Sequence, residues 1–243
     1  MTSIKDDRGY NQGFKVTRAL LIRTKRRCDV ITENFDNKKA NVLEIGCGIG
    51  LHAYLVAKRN SSVKMVGTDL CAPFIRRASS KFKLKNLRYE VLNLDDKEAL
   101  RQFYKREGEF DYIYGDGILH HLYLHLESAI VELKKLLKPG GKLLFWEPNL
   151  LNPYCFLIFK VKYFRKSANL EPGESAFSKS FIDSILKRHG FGQIKVIHRD
   201  FLLPNTPNFL IKPSIVVGNL AEKVPIISYL SQSIFLRATL VEK

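Results

Sequence analysis

The nine residues Val42 to Gly50, VLEIGCGIG, constrain this chain more than any other stretch. An apolar run passes straight into Gly46, Gly48 and Gly50, and helix-period sequence follows at once. Such a junction fits a buried strand that turns sharply into a helix, because glycine lets the backbone turn tightly and approach a ligand with no Cβ in the way. Twenty-three residues beyond Gly46, Asp69 ends a second strand-like run. A carboxylate there sits beside the first turn and can accept from both hydroxyls of a ribose. Turn-forming glycines and an Asp69 that caps a helix opening at Ala72 would account for each piece, but not for their spacing.

The rhythm continues downstream. Strand-like runs at VLEIGC (42–47), VKMVGTD (63–69), LRYEVLNL (87–94), FDYIYG (110–115) and GKLLFWE (141–147) alternate with helix-period segments, the last of which is ended by Pro139-Gly140-Gly141. Repeated βαβ units predict a parallel, doubly wound α/β sheet with helices on both faces. Residues 14–35 read as one basic helix packed on that sheet. Residues 178–189 read as a helix capped by Ser178 or Ser180, GQIKVIHRD as a sixth strand and SIFLRATLVE as the last. Between them, residues 201–229 carry Pro204, Pro207, Pro213 and Pro225, which predicts an irregular insert.

Composition narrows the function classes. With 243 residues, 45% hydrophobic, the chain is neither disordered nor fibrous and can bury a sizeable core. Its formal charge of +16 steers it toward anions: nucleic acid, an acidic membrane surface or phosphorylated small molecules. Six basic residues lie between Lys15 and Arg27, six between Arg76 and Arg88 and four between Lys160 and Lys166. The first two runs read as solvated helix faces. Cys28, Cys47, Cys71 and Cys155 form no Cys-x-x-Cys pair and no zinc pattern, so reduced thiols, no metal and a cytoplasmic setting are expected. The polar N-terminus does not look like a signal peptide, and no apolar run reaches membrane-spanning length.

The glycines read G-x-G-x-G, and Leu51 stands where a dinucleotide fingerprint has its third glycine. The Tyr-x-x-x-Lys pair at Tyr54 and Lys58 lies too early for hydride chemistry. Four pieces in order, VLEIGCGIG, VGTDL, FDYIYGDGILHHL and LLKPGGKLLFWEPN, make the region from Val42 to Asn149 resemble the class I S-adenosylmethionine-dependent methyltransferases. The resemblance implies a seven-stranded, mostly parallel sheet of order 3-2-1-4-5-7-6 whose last strand is antiparallel. It also implies one domain over 1–243: a helical cap (1–40), a cofactor-binding core (41–150) and an acceptor-side region (151–243) with its insert at about 201–229.

Carried over residue by residue, the resemblance implies cofactor contacts from Glu44, Gly46, Cys47, Gly48, Gly50, Asp69, Leu70, Asn93, Leu94 and Gly115. Gly46, Cys47 and Gly48 would face the methionine and ribose parts, Asp69 would hold the ribose hydroxyls, and Leu70 would line the adenine. Asn93 stands where the family often has Asp, and a carboxamide oxygen can still accept from the adenine amino group. The product would be S-adenosylhomocysteine, and no metal is required.

Methyl transfer from a sulfonium asks the protein to align a nucleophile and exclude water. A hydroxyl acceptor also needs a base, which should project from the C-terminal ends of strands four and five. His120, His121 and Asp116 are the candidates, with the histidines read as opening the helix after strand four. Packing for one His, and capping for Asp116, are the competing readings. Glu147, Asn149 and Tyr154 are the candidate acceptor contacts, Glu147 and Asn149 leaving strand five toward the cleft. The aromatic and basic residues of 154–166 read either as a pocket wall and a rim on an anionic membrane or as ordinary helix packing.

The expected acceptor is a small, anionic or amphiphilic molecule, lipid-linked or glycan-type, methylated at oxygen, with the enzyme in the cytoplasm or at the inner membrane surface. RNA is a rival acceptor, although the Asn/Asp-Pro-Pro-aromatic turn of amino-directed nucleic-acid methylases is replaced here by Gly-Asp-Gly-Ile, and no Pro-Cys dipeptide occurs. A non-catalytic protein that binds the cofactor or docks on a membrane is a second rival. Oligomeric state is not readable from the sequence.

Overall fold

The structure is a computed structural model that describes residues 16–241 except 169 and 172, together with the backbone of 4–5 and 11–12. Seven strands form one sheet: β1 (Asn41–Ile45), β2 (Lys64–Asp69), β3 (Leu87–Val91), β4 (Phe110–Asp116), β5 (Leu137–Pro148), β6 (Phe191–Arg199) and β7 (Ser233–Leu240). Their order is β3-β2-β1-β4-β5-β7-β6, and β7 runs antiparallel to both neighbours. A separate two-stranded pair joins Ile4–Lys5 to Asn11–Gln12.

The inner strands are continuous apolar runs because helices cover both faces, whereas the edge strands β3 and β6 are only partly buried. One face carries Leu43, Ile113, Leu143 and Phe145 against α5 (Leu126–Leu136) and α8 (Lys179–Arg188). The other carries Val42, Tyr112, Tyr114, Leu144 and Trp146 against α1 (Arg18–Glu33) and α2 (Leu51–Arg59). The period of two fixes where the polar residues at the strand ends go. Asp116, two and four residues beyond Tyr114 and Tyr112, falls on the α1/α2 side; Glu147, beyond Leu143 and Phe145, falls on the α5 side.

The remaining helices are α3 (Ala72–Lys81), α4 (Lys97–Glu107), α6 (Pro153–Lys160), α7 (Lys162–Ser167), α9 (Ile211–Ala221) and α10 (Pro225–Ser228). Ser178 caps α8 by accepting from the Phe181 N–H. The basic helix expected over 14–35 runs over 18–33, and residues 14 and 15 lie outside the described residues.

Three expectations are corrected. The stretch 201–229 is helical over α9 and α10, because Pro213 and Pro225 fall in first turns, where the missing N–H has no intrahelical partner to lose. Pro139-Gly140-Gly141 lies within β5 rather than ahead of it, absorbed by a register shift between the Phe110 and Tyr112 pairings of β4. Finally, the first basic run is not uniformly solvated: Arg27 is buried, on the same stripe of α1 as Ala19, Cys28 and Ile31.

Candidate active site

The turns after β1, β2 and β4 meet at the C-terminal edge of the sheet, the place where α/β sheets bind ligands. Gly46, Gly48 and Gly50 have φ of +66°, +52° and +81°, the left-handed region in which side chains are strained. At two of them the protein's own packing also demands glycine. A Cβ on Gly46 would stand 2.7 Å from the Ile118 side chain, and one on Gly50 would stand 2.6 Å from Ala78 and 2.7 Å from Tyr89. Gly115 is equally tight, 2.6 Å from Ile118. The turn after β4 therefore lies directly over the glycine turn.

Asp69 joins the first two turns. Its Oδ2 accepts from the Gly48 N–H and its Oδ1 from the Cys71 N–H, both at 2.8 Å. Leu70 beside it is exposed and apolar. Asn93 spends one lone pair of Oδ1 on the Asp95 N–H at 3.0 Å, and Leu94 is half-buried. The Cys47 thiol is buried, and burial with Glu44 and Asp69 nearby pushes it well up, so it stays protonated. All four cysteines are free and buried.

Glu44 is buried under the glycine turn and accepts from the Tyr114 hydroxyl at 3.1 Å. Burial pushes its carboxyl up to about 7, although His52 and Tyr114 pull the other way. A carboxylate is thus held at the edge of ionisation.

Asp116 faces away from the histidines. Its carboxylate bonds to Arg27 on α1 and lies 3.0 Å from His52 Nε2 on α2. Burial pushes this carboxyl up, but the Arg27 guanidinium and His52 outweigh it and hold it well below the usual range. Arg27 also donates to Asp200 at 2.9 Å and to Ser233, and lies over the Trp146 ring at 4.8 Å. Arg23 adds a 2.7 Å bond to Asp200. A carboxylate so committed and so weakly basic is built to hold the turn rather than to take a proton.

The histidines sit in the turn 117–122, ahead of α5, rather than opening a helix. Glu147 organises that turn. Its Oε1 accepts from the N–H groups of Ile118 and Leu119 at 3.1 and 2.8 Å, and its Oε2 from the His120 N–H at 3.2 Å and from His120 Nδ1 at 2.8 Å. The other ring nitrogen, Nε2, lies 3.3 Å from Glu174, and Glu174 also lies 3.7 Å from His121 Nδ1. Burial pulls the His120 pKa down, but hydrogen bonds to Glu147 and Glu174 push it up to about 9. His120, His121 and Glu174 bring three donor atoms within 4.8 Å of one another and could hold a cation; the protonated His120 between two carboxylates already balances much of their charge.

Of the acceptor-side candidates, Asn149 is buried, its Nδ2 donating to the carbonyls of Tyr229 and Ser231 at 2.8 Å each. Tyr154 is exposed on α6. Glu147 turns its carboxylate into the protein rather than into a cleft. Sequence reasoning missed Arg23, Arg27, His52, Glu174 and Asp200. The spacing of Ala19, Arg23 and Arg27, four residues apart on one helical stripe, was the signal for the arginines; nothing local marks Glu174.

Residues 42–141 match the methyltransferase domain family model. Among curated proteins, the uncharacterized protein RP028 of Rickettsia prowazekii is 33% identical over 106 residues, 42% of this chain and 40% of that protein. The highly reducing polyketide synthase NEC1 of Pyricularia oryzae is 25% identical over 173 residues, 68% of this chain but 6% of the synthase. The chain thus spans well under half of these relatives. Among solved structures, a SAM dependent methyltransferase from Archaeoglobus fulgidus aligns with TM-score 0.63 at 18% identity, over 90% of this chain and 94% of that one. The CurJ carbon methyltransferase aligns with TM-score 0.57 at 19% identity, over 90% and 54%, and the DszA carbon methyltransferase with 0.54 at 18%, over 88% and 50%. Over residues 42–141 the chain thus matches a methyltransferase domain, and its sheet order and glycine turn are those of the class I, Rossmann-like methyltransferase fold.

Proposed function

We propose that the chain methylates a small amphiphilic acceptor, at a carbon made acidic by a neighbouring carbonyl, with His120 taking the proton. The observation that carries this reading is the His120–Glu147 pair: a buried carboxylate 2.8 Å from Nδ1 fixes the ring, so that Nε2, 3.3 Å from Glu174, is the nitrogen that would exchange its partner for the acceptor. The sequence likeness to polyketide synthases supports carbon over the oxygen expected from the sequence.

The cofactor fits the residues at the sheet edge. Asp69 holds a carboxylate between the first two turns, exposed Leu70 offers an apolar face for a base, and Glu44 offers a carboxylate near ionisation toward a cationic ligand. When bound, S-adenosylmethionine supplies an activated methyl group. Glu147 holds the turn 118–120 rigid over Gly46, so that His120 keeps one orientation. Glu174 raises the basicity of His120 from the far side and must yield Nε2 to the acceptor. Asp116, locked by Arg27 and His52, acts as a positioning residue for the same turn. An amphiphilic acceptor also agrees with peripheral contact with an anionic membrane, one of the anionic partners that the charge of +16 allows. No helix among the described residues is long and apolar enough to cross one.

The test is product analysis with isotope-labelled S-adenosylmethionine and β-ketoacyl thioester or hydroxylated amphiphile panels. Carbon NMR of the labelled methyl separates carbon-bound from oxygen-bound product. A carbon-bound methyl lost in His120→Ala supports the proposal; an oxygen-bound methyl, or full activity without His120, contradicts it.

A further inference from the structure

Helix α9 is apolar on its outside. Its inner stripe, Ile211, Ile215 and Gly218, packs on Ala19, Leu202 and Phe201, which should leave a polar outer face. The outer positions are instead Val216, Val217 and Leu220, with Val217 64% exposed. The adjoining segments repeat the pattern: Phe209 is 78% exposed before α9, and Ile226 is 80% exposed on α10. On α6 and α7, Phe156, Leu157 and the 77% exposed Tyr163 also point outward.

Far apart in sequence, these elements share a seam. Asn149, just ahead of α6, donates to the carbonyls of Tyr229 and Ser231, just after α10. Asn152, the cap of α6, donates to the Leu230 carbonyl. So many exposed side chains on neighbouring elements exceed the scattered apolar exposure normal for a soluble surface.

The charges interleaved with this surface choose its occupant. Lys160, Lys162, Lys166, Lys212 and Lys223 are exposed there. Residues 150–168 contain no acid, and residues 201–230 contain only Glu222, which is engaged with Arg199 and the Asp200 N–H. A second copy of the chain, joined through a self-complementary interface, would set these lysines against one another. Anionic headgroups would neutralise them, and apolar side chains beside basic ones are the pattern of elements that lie in a bilayer surface.

We infer that α6, α7, α9 and α10 form a docking surface for an anionic bilayer, with the apolar side chains in the headgroup boundary and the lysines on phosphates. This rests on the reading of the acceptor as amphiphilic, since the surface belongs to the acceptor-side region and would let such a molecule enter from the lipid.

The experiment is co-sedimentation of the full chain with vesicles of phosphatidylcholine alone or mixed with phosphatidylglycerol, beside calorimetric titration of the same samples with S-adenosylhomocysteine. The expected result is binding to the mixed vesicles only. Lys162→Glu with Lys166→Glu should weaken it at least 25-fold, about fivefold per basic residue lost. Val217→Asp with Ile226→Asp should weaken it at least tenfold, with cofactor binding unchanged; Val217→Ser provides a milder check that the fold is intact. Absence of vesicle binding, or binding that ignores these substitutions, overturns the inference. So does light scattering that shows a dimer made monomeric by Val217→Asp, which gives the surface to a second copy. Vesicle binding without cofactor binding refutes the enzymatic reading instead, and cofactor binding without vesicle binding refutes the docking alone.

Discussion

Glu44→Gln isolates the energetic consequence of a carboxyl buried beneath the glycine turn. In the fold this group titrates at about 7, against an ordinary value of 4.5. An acid whose folded pKa is raised binds its proton more tightly when native, so stability is full below about 4.5 and is lost as pH rises toward about 7. The gap corresponds to about 3 kcal/mol at higher pH. Glutamine can keep the hydrogen bond to Tyr114 and never ionises. Denaturant unfolding of wild type and variant at pH 4.5 and pH 8.5 should therefore show the variant gaining about 3 kcal/mol relative to wild type between the two, equivalent to roughly 6–12 °C in Tm for a chain of this size. If Glu44 faces the cationic part of the cofactor, the same variant should bind S-adenosylmethionine about tenfold or more weakly, the loss of a charged hydrogen bond. A stability difference that does not change with pH would refute the argument that burial holds this carboxyl near neutrality.

Three further outcomes follow from the site. His120→Ala should leave S-adenosylhomocysteine affinity unchanged in calorimetry while lowering turnover by about 10²–10⁴-fold, the usual range for a lost general base. Because His120 titrates at about 9 and must be neutral to accept a proton, the rate should climb with pH toward about 9; Glu174→Gln removes one of the two carboxylates that raise it and should move the climb to lower pH. Arg27→Met leaves Asp116 and Asp200 without their shared guanidinium and should cost about 3–5 kcal/mol in urea unfolding, the penalty for removing one partner of a buried ion pair.

The sheet was legible because its inner strands are buried on both faces and so appear as largely apolar runs, two of them followed directly by glycine at Gly46 and Gly117. The strands at 42–47, 63–69 and 110–115 needed almost no adjustment. What could not be read were the consequences of strand alternation at the sheet edge. Asp116 and Glu147 look alike in sequence, as acids ending neighbouring strands, yet the period of two sends one to Arg27 and the other to His120. Helix α9 was hidden by its proline, which is harmless in a first turn, and by an outer face as apolar as its inner one. Glu174 lies in an irregular segment between α7 and α8, and only the tertiary fold brings it to His120.

The central claim is that the edge formed by Gly46, Gly48, Gly50 and Asp69 receives the methyl-donor cofactor. Calorimetric titration of the purified chain with S-adenosylhomocysteine, with NADH as the control and Asp69→Ala beside the wild type, tests it most directly. The account predicts micromolar binding of S-adenosylhomocysteine, none of NADH, and a loss of roughly 1–3 kcal/mol in the variant, whose ribose hydroxyls are left poorly paired. Binding of NADH instead, or an affinity that ignores Asp69, would contradict it.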